Sequence, residues 1–183
     1  MSARLRTLAS ITAFIALALL ASLVATRGNT VGAQERAAPA APQITGIDKW
    51  INSPPLTLAQ LRGKVVLVDF WTYSCINCVN TLPYVKGWYK QYGNQGLEVI
   101  GVHTPEYPFE RDAAHVSAAV KQFDIRYPVA LDNQYATWNA FNNQYWPALY
   151  LFDKTGKIVY SHFGEGDYAK TEAKIRELLA QPG

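Results

Sequence analysis

The chain has 183 residues, 49% of them hydrophobic and 17% charged, which excludes a disordered or collagen-like polymer. Its net charge of +3 does not mark a nucleic-acid binder. Arg4, Arg6, Arg27 and Arg36 against Glu35 supply the excess; from Gln43 onward acidic and basic residues balance, with no basic stripe to follow a phosphate backbone.

Residues 1–27 read as a signal-anchor or signal peptide. Leu8 to Ala25 is an apolar run of 18 residues, relieved only by Ser10, Thr12 and Ser22. As a helix it reaches roughly 27 Å, close to the hydrocarbon thickness of a bilayer. Arg4 and Arg6 precede it, so the N-terminus is expected to stay inside and everything after Arg27 to lie on the extracytoplasmic (periplasmic or outer) side of the cell membrane. The length of the run favours a retained anchor, since a cleaved signal carries an apolar region of about 7–15 residues; Val31-Gly32-Ala33 nevertheless offers the small residues a signal peptidase accepts. Residues 28–43, rich in Ala, Pro and Gly, read as a flexible tether. Residues 44–183 have the length of one domain.

Strand-like and helix-like segments alternate through that domain, which predicts an α/β fold with a largely parallel central sheet. Val65 to Trp71 is a continuous apolar run, as expected of a strand covered on both faces. A helix is predicted from about Cys75 to Tyr92, with Pro83 kinking it after two turns. Leu97 to Val102 reads as a buried strand, Asp112 to Phe123 as a helix, Pro128 to Leu131 as a short strand and Tyr135 to Phe141 as a short helix. Ala148 to Phe152 and Ile158 to His162 flank Asp153-Lys154-Thr155-Gly156, a hairpin turn. A last helix begins near Asp167, read as its N-cap, and buries Ile175, Leu178 and Leu179.

The only two cysteines, Cys75 and Cys78, enclose Ile76 and Asn77 and open the first helix directly after the strand that ends at Trp71. At a helix N-terminus, unpaired N–H groups and the helix dipole stabilise a thiolate, the attacking species in disulfide exchange. A second cysteine three residues on shares the helix face and can resolve a mixed disulfide. Cys75, nearer the tip, is expected to attack, and Cys78, one turn inside, to be shielded. A structural disulfide would clip only four residues and restrain little. A zinc site would need further ligands, and His103, His115 and His162 show no partner spacing; each reads as a surface or satisfied residue.

The stretch Val68-Asp69-Phe70-Trp71-Thr72-Tyr73-Ser74-Cys75-Ile76-Asn77-Cys78 resembles the active-site region of thioredoxins, with Asp69 six residues before the first cysteine, Trp71 four before it and Pro83 eight after it. Leu56-Thr57-Leu58 to Gly63-Lys64 resembles the entry of the membrane-tethered TlpA and ResA type. Trp71-Thr72-Tyr73-Ser74-Cys75, His103-Thr104-Pro105-Glu106 and Phe163-Gly164-Glu165-Gly166-Asp167-Tyr168 resemble the thioredoxin-like domain of DipZ-type cytochrome c biogenesis proteins. The likeness covers roughly Ile44 to Leu179. It implies a thioredoxin fold with a central mixed sheet and an inserted helix–strand segment, acting as a thiol–disulfide oxidoreductase on client protein disulfides, with no cofactor beyond its redox-active disulfide. DipZ-type proteins fuse this domain to a membrane electron carrier; with one apolar segment in its place, the electron donor is expected to be a separate membrane protein.

The resemblance further implies a cis Trp146–Pro147 bond facing the cysteines, with the Trp146 backbone free to pair with an extended client. Asp69, a carboxylate inside an apolar strand, is costly unless neutral, paired or solvated; burial suits it to exchange a proton with Cys78, while the plainer reading has it capping loop backbone. Glu106 stands where TlpA-like and ResA-like proteins keep an acid near their cysteines, or is a solvated loop residue. Trp71, Tyr73, Trp88 and Trp146 form an apolar client-binding rim or pack the core. Acidic neighbours at Asp69 and Glu106, and no histidine between the cysteines, predict a raised Cys75 pKa and a reductant. Two rivals stay open. A peroxiredoxin-like thiol peroxidase would use Thr72, three residues before Cys75, although Val68 stands where its proline belongs; a copper chaperone or binding module would retain metal on the cysteines.

Overall fold

The computed structural model describes residues 41–182. The apolar run Leu8–Ala25 and most of the tether lie outside them. No helix among the described residues is long and apolar enough to cross a membrane.

Six strands, β1 (Lys49–Ile51), β2 (Val65–Trp71), β3 (Leu97–His103), β4 (Val129–Leu131), β5 (Ala148–Phe152) and β6 (Ile158–Phe163), form one sheet in the order β1-β4-β3-β2-β5-β6. β2, β3 and β4 run parallel; β1, β5 and β6 run antiparallel to their neighbours. The sheet is mixed, and the fold is that of thioredoxin. The edge strand β1 is the element that sequence pattern does not predict: three residues, none fully buried, carry no usable periodicity.

β2 lies at the centre and all seven of its residues are buried. Its alternating side chains serve two cores. Val65, Leu67 and Trp71 pack with helices α1 (Ile76–Tyr92), α2 (Ala113–Gln122) and α4 (Tyr168–Ala180) on one face. Val66, Val68 and Phe70 pack on the other face with Trp138 of helix α3 (Ala136–Ala140), Phe141, and Leu58 and Leu61 of the turns before β2. Two covered faces explain the unbroken apolar run. By parity Asp69 falls on the α1 face.

Helix α1 buries Cys78, Thr81, Leu82, Val85, Trp88 and Tyr92, one stripe of the helix, and runs as one helix through the exposed Pro83. The hairpin turn is capped by its own first residue: the Asp153 carboxylate accepts from the N–H groups of Thr155 and Lys157, at 2.9 and 3.0 Å. Two expectations are corrected. Asp167 precedes α4 but makes no side-chain cap; its φ of 48° turns the carboxylate toward His162 and Lys170, 3.7 and 3.8 Å away. His103 is neither a surface nor a satisfied histidine: it is fully buried at the end of β3, with Nδ1 unpartnered.

Candidate active site

Strand β2 ends at Trp71, and four residues later Cys75 occupies the N-cap of α1 with extended backbone dihedrals. Its Sγ accepts a hydrogen bond from the N–H of Cys78 at 3.3 Å, the bond a capping serine would accept. Cys75 is half-buried and Cys78 is buried. The hydrogen bond from the Cys78 thiol holds the Cys75 pKa down to about 7, helped by the N–H groups of Cys78 and Asn77 and opposed by burial and by the Glu106 carboxylate. The same thiol–thiol bond, together with burial, pushes Cys78 far up. The pair is therefore asymmetric at neutral pH: a partly ionised thiol at the tip and a protonated one a turn inside. The expected raised pKa for Cys75 is corrected, because the helix N-terminus and the neighbouring thiol outweigh Glu106.

Asp69 lies on the sheet face that α1 covers, close enough for its charge to act on Cys78, almost fully buried and with Oδ1 unpartnered. Burial, and then the Cys75 charge, raises its pKa to about 7. Beside it in the sheet register is Gly101. A Cβ at Gly101 would come within 3.0 Å of both Trp71 Nε1 and the Tyr127 ring, so the glycine lets these two side chains close over the strand next to the carboxylate. Trp71 Nε1 and the Tyr127 hydroxyl are likewise buried without partners. Trp71 has no exposed surface. Its expected contact with a client is corrected to core packing, edge-on to His103 at 5.4 Å.

The loop after β3 is tied to Tyr73 and Ser74, the residues just before Cys75. Its buried acid is Glu110, which sequence reading passes over in favour of the exposed Glu106. One Glu110 oxygen accepts from Ser74 Oγ at 2.6 Å and Ser74 N at 3.4 Å; the other accepts from the N–H groups of Glu106 and Tyr107, at 2.6 and 2.9 Å. Burial pushes its pKa up, but these donors outweigh burial and hold it below the ordinary value. Glu106 itself acts on Cys75 only through its charge. A local signal for Glu110 exists: it is the third residue after Tyr107, which caps a short turn of helix, the position from which an acid reaches back to the cap N–H.

Thr72 is buried with its hydroxyl 3.2 Å from His103 Nε2, so the group a peroxidase would aim at peroxide is held inside the protein. Burial keeps His103 neutral, with its pKa near 4. The Trp146–Pro147 bond is cis, and Pro147 is buried at the entry to β5. Trp146 is half-buried, donates from Nε1 to the Thr104 carbonyl at 3.0 Å and packs on Trp138, ring centres 4.0 Å apart. Tyr73 is part-buried and stacks on His103, while Trp88 belongs to the core. Among the described residues no group of three His, Cys, Asp or Glu side chains is placed to hold a metal.

Residues 37–179 match the Redoxin family. Protein DipZ of Mycobacterium bovis is 54% identical over 148 residues, 78% of this chain, which spans only 21% of that protein's length. The thiol-disulfide oxidoreductase YkuV of Bacillus subtilis is 33% identical over 141 residues, 76% of this chain and 94% of that one. A thioredoxin-like protein solved in solution in its oxidised form superposes with a TM-score of 0.71 at 32% identity, covering 78% of this chain and 96% of its own.

Proposed function

The chain belongs to the Redoxin family as a thioredoxin-fold thiol–disulfide oxidoreductase, and from that premise we propose that it reduces disulfides in client proteins outside the cytoplasm, held at the membrane by Leu8–Ala25. The observation that carries the reading is the asymmetric pair: Cys75 at the cap held near 7, Cys78 buried and held high. At neutral pH about half of Cys75 is thiolate.

The Cys75 thiolate attacks one sulfur of the client disulfide; the Cys75–client bond forms and the client's other sulfur leaves as a thiolate. Cys78 then gives its proton to the Asp69 carboxylate and attacks Cys75 Sγ. The second client sulfur leaves and is reprotonated from Asp69. Two electrons have passed to the client, and the protein holds a Cys75–Cys78 disulfide. A carboxyl pKa of about 7 suits both halves of that proton exchange. Glu106 tempers the thiolate by its charge, and the chain before Pro147 offers extended backbone to a client strand. A reductant in an oxidising compartment needs continuing electrons, which we assign to a separate membrane dithiol donor. Apocytochrome c is the client that the likeness to DipZ suggests.

The test is trapping. With Cys78→Ser, mixed disulfides through Cys75 are expected to accumulate on membranes, to dissolve with dithiothreitol and to identify the clients by mass spectrometry. Cys75→Ser is expected to trap nothing. Equal alkylation rates for the two thiols of the reduced wild type would contradict the division of labour.

A further inference from the structure

Most of the large apolar side chains left exposed among the described residues gather at one end of the sheet. Ile76, Tyr107, Phe109, Tyr145 and Phe163 are exposed. Ile76 follows β2, Tyr107 and Phe109 follow β3, Tyr145 precedes β5 and Phe163 ends β6. Because β5 is antiparallel to β2, with Ala148 opposite Phe70 and Phe163 opposite Ala148, all four connections lie at the end that carries Cys75. Solvent-exposed aromatics clustered at a reactive thiol are a binding surface rather than stray surface residues.

The side of this rim formed by the loop after β3 is held firmly. Tyr107 and Phe109 stack in parallel, ring centres 5.6 Å apart and planes 3° apart. Their loop is fastened to the residues before Cys75 at two points. Tyr73 donates from its hydroxyl to the Phe109 carbonyl at 3.1 Å, and Glu110 takes Ser74 on one oxygen and the Glu106 and Tyr107 N–H groups on the other. Nothing in the chemistry of exchange requires a pair of half-exposed aromatics to be held so firmly. A rigid aromatic surface loses little entropy on binding, which is where such residues gain affinity.

We propose that Tyr107 and Phe109, fixed beside Cys75 by the buried Glu110 carboxylate, select the client: an extended segment carrying an aromatic or large aliphatic side chain within a few residues of its disulfide-bonded cysteine. The occupant follows from continuity with the thiol. A client sulfur must reach Cys75 Sγ, so the residues flanking it must cross the neighbouring surface, and on the side of Tyr73 and Ser74 that surface is the loop carrying Tyr107 and Phe109. A compact folded client would hide such a residue; an unfolded or newly exported chain presents it. The inference rests on the reductase reading and names its substrate class.

The experiment compares three disulfides offered to the reduced full chain: oxidised glutathione, and two linear peptides in which a cysteine is joined to glutathione, identical except for Phe or Ser two residues away. The wild type is expected to reduce the Phe peptide about tenfold faster in kcat/KM than the Ser peptide, a difference of the size one aromatic contact gives. With Tyr107→Ser and Phe109→Ser together, the ratio is expected to fall toward one. Both side chains are exposed, so the fold does not depend on them; unchanged thermal unfolding checks this. Equal wild-type rates on the two peptides, or a preference that survives the double substitution, would overturn the selection. Failure to reduce oxidised glutathione and both peptides alike would instead overturn the reductase reading on which it rests.

Discussion

Two buried carboxylates flank the cysteine pair, and the protein treats them in opposite ways. Glu110, beside Ser74, has four donors and is held below the ordinary carboxylate range. Asp69, on the sheet face that α1 covers, has an unpartnered oxygen and is pushed up to about 7. Burial acts on both in the same direction, so the donors decide. A saturated carboxylate is a fixed anion that braces a loop. An unsatisfied one sits near the pH at which it can take a proton or release it. Position fits the proposed roles: Glu110 is bonded to Ser74, on the side the proposal gives to the client, and Asp69 acts on Cys78, on the side it gives to the proton.

The strongest way to break the contrast is to remove both acids. Glu110→Ala leaves the N–H groups of Ser74, Glu106 and Tyr107 without their acceptor. It is expected to cost about 3 kcal/mol in urea unfolding at pH 7. Asp69→Asn is expected to do the reverse at pH 8, a gain on the order of 1 kcal/mol, since it removes a buried charge but still leaves a buried polar group. The sign follows from linkage. Asp69 has a folded pKa of about 7, above its ordinary 3.8, so its contribution is fully present below the unfolded value and is lost as pH rises through 7. The gain in Asp69→Asn should therefore vanish near pH 4. A loss of stability in both variants at pH 8 would end the distinction.

Kinetics sharpens it. Asp69→Asn is expected to slow decay of the mixed disulfide about 100-fold at pH 7, while the Cys75 alkylation rate stays within a few fold. A decay rate in Asp69→Asn equal to wild type from pH 6 to 9 would remove Asp69 from the mechanism.

A separate expectation concerns His103, which belongs to neither acid's class. Its pKa falls from 6.5 to about 4 through burial. The unfolded chain thus takes a proton in that window and the folded protein does not, so its share of stability drains as pH falls from about 6.5 to 4. Unfolding of His103→Gln should show a flatter acid limb than wild type over that range, and an identical slope would contradict the assignment.

The sequence made one side of this contrast legible and hid the other. Cys75, Cys78 and Asp69 lie within ten residues of one another, on a strand and the helix that follows it, so spacing alone places them together. Glu110 is joined to Ser74 across 36 residues, and the folding of the loop supplies its donors. Motif likeness leads to Glu106, four residues earlier, whose charge reaches Cys75, and says nothing of the donors around Glu110, which only the folded loop brings together. Trp71 is the converse case. The unbroken apolar run already argued for a residue covered on both faces, and burial in the structure agrees with that pattern over the surface role. The Cys75 pKa escaped charge counting because hydrogen bonds at the helix cap act more strongly than acids further off.

In the proposed reaction the cysteine pair donates electrons. A half-ionised Cys75, in place of a fully stabilised thiolate, leaves the dithiol form only modestly favoured, as in thioredoxin, where the cysteine pKa is also about 7. Redox titration of the full chain against dithiothreitol buffers at pH 7, read by trapping the free thiols, measures this directly. A potential near the thioredoxin value of about −270 mV is expected. A value above roughly −180 mV, in the range of isomerases and oxidants, would contradict it.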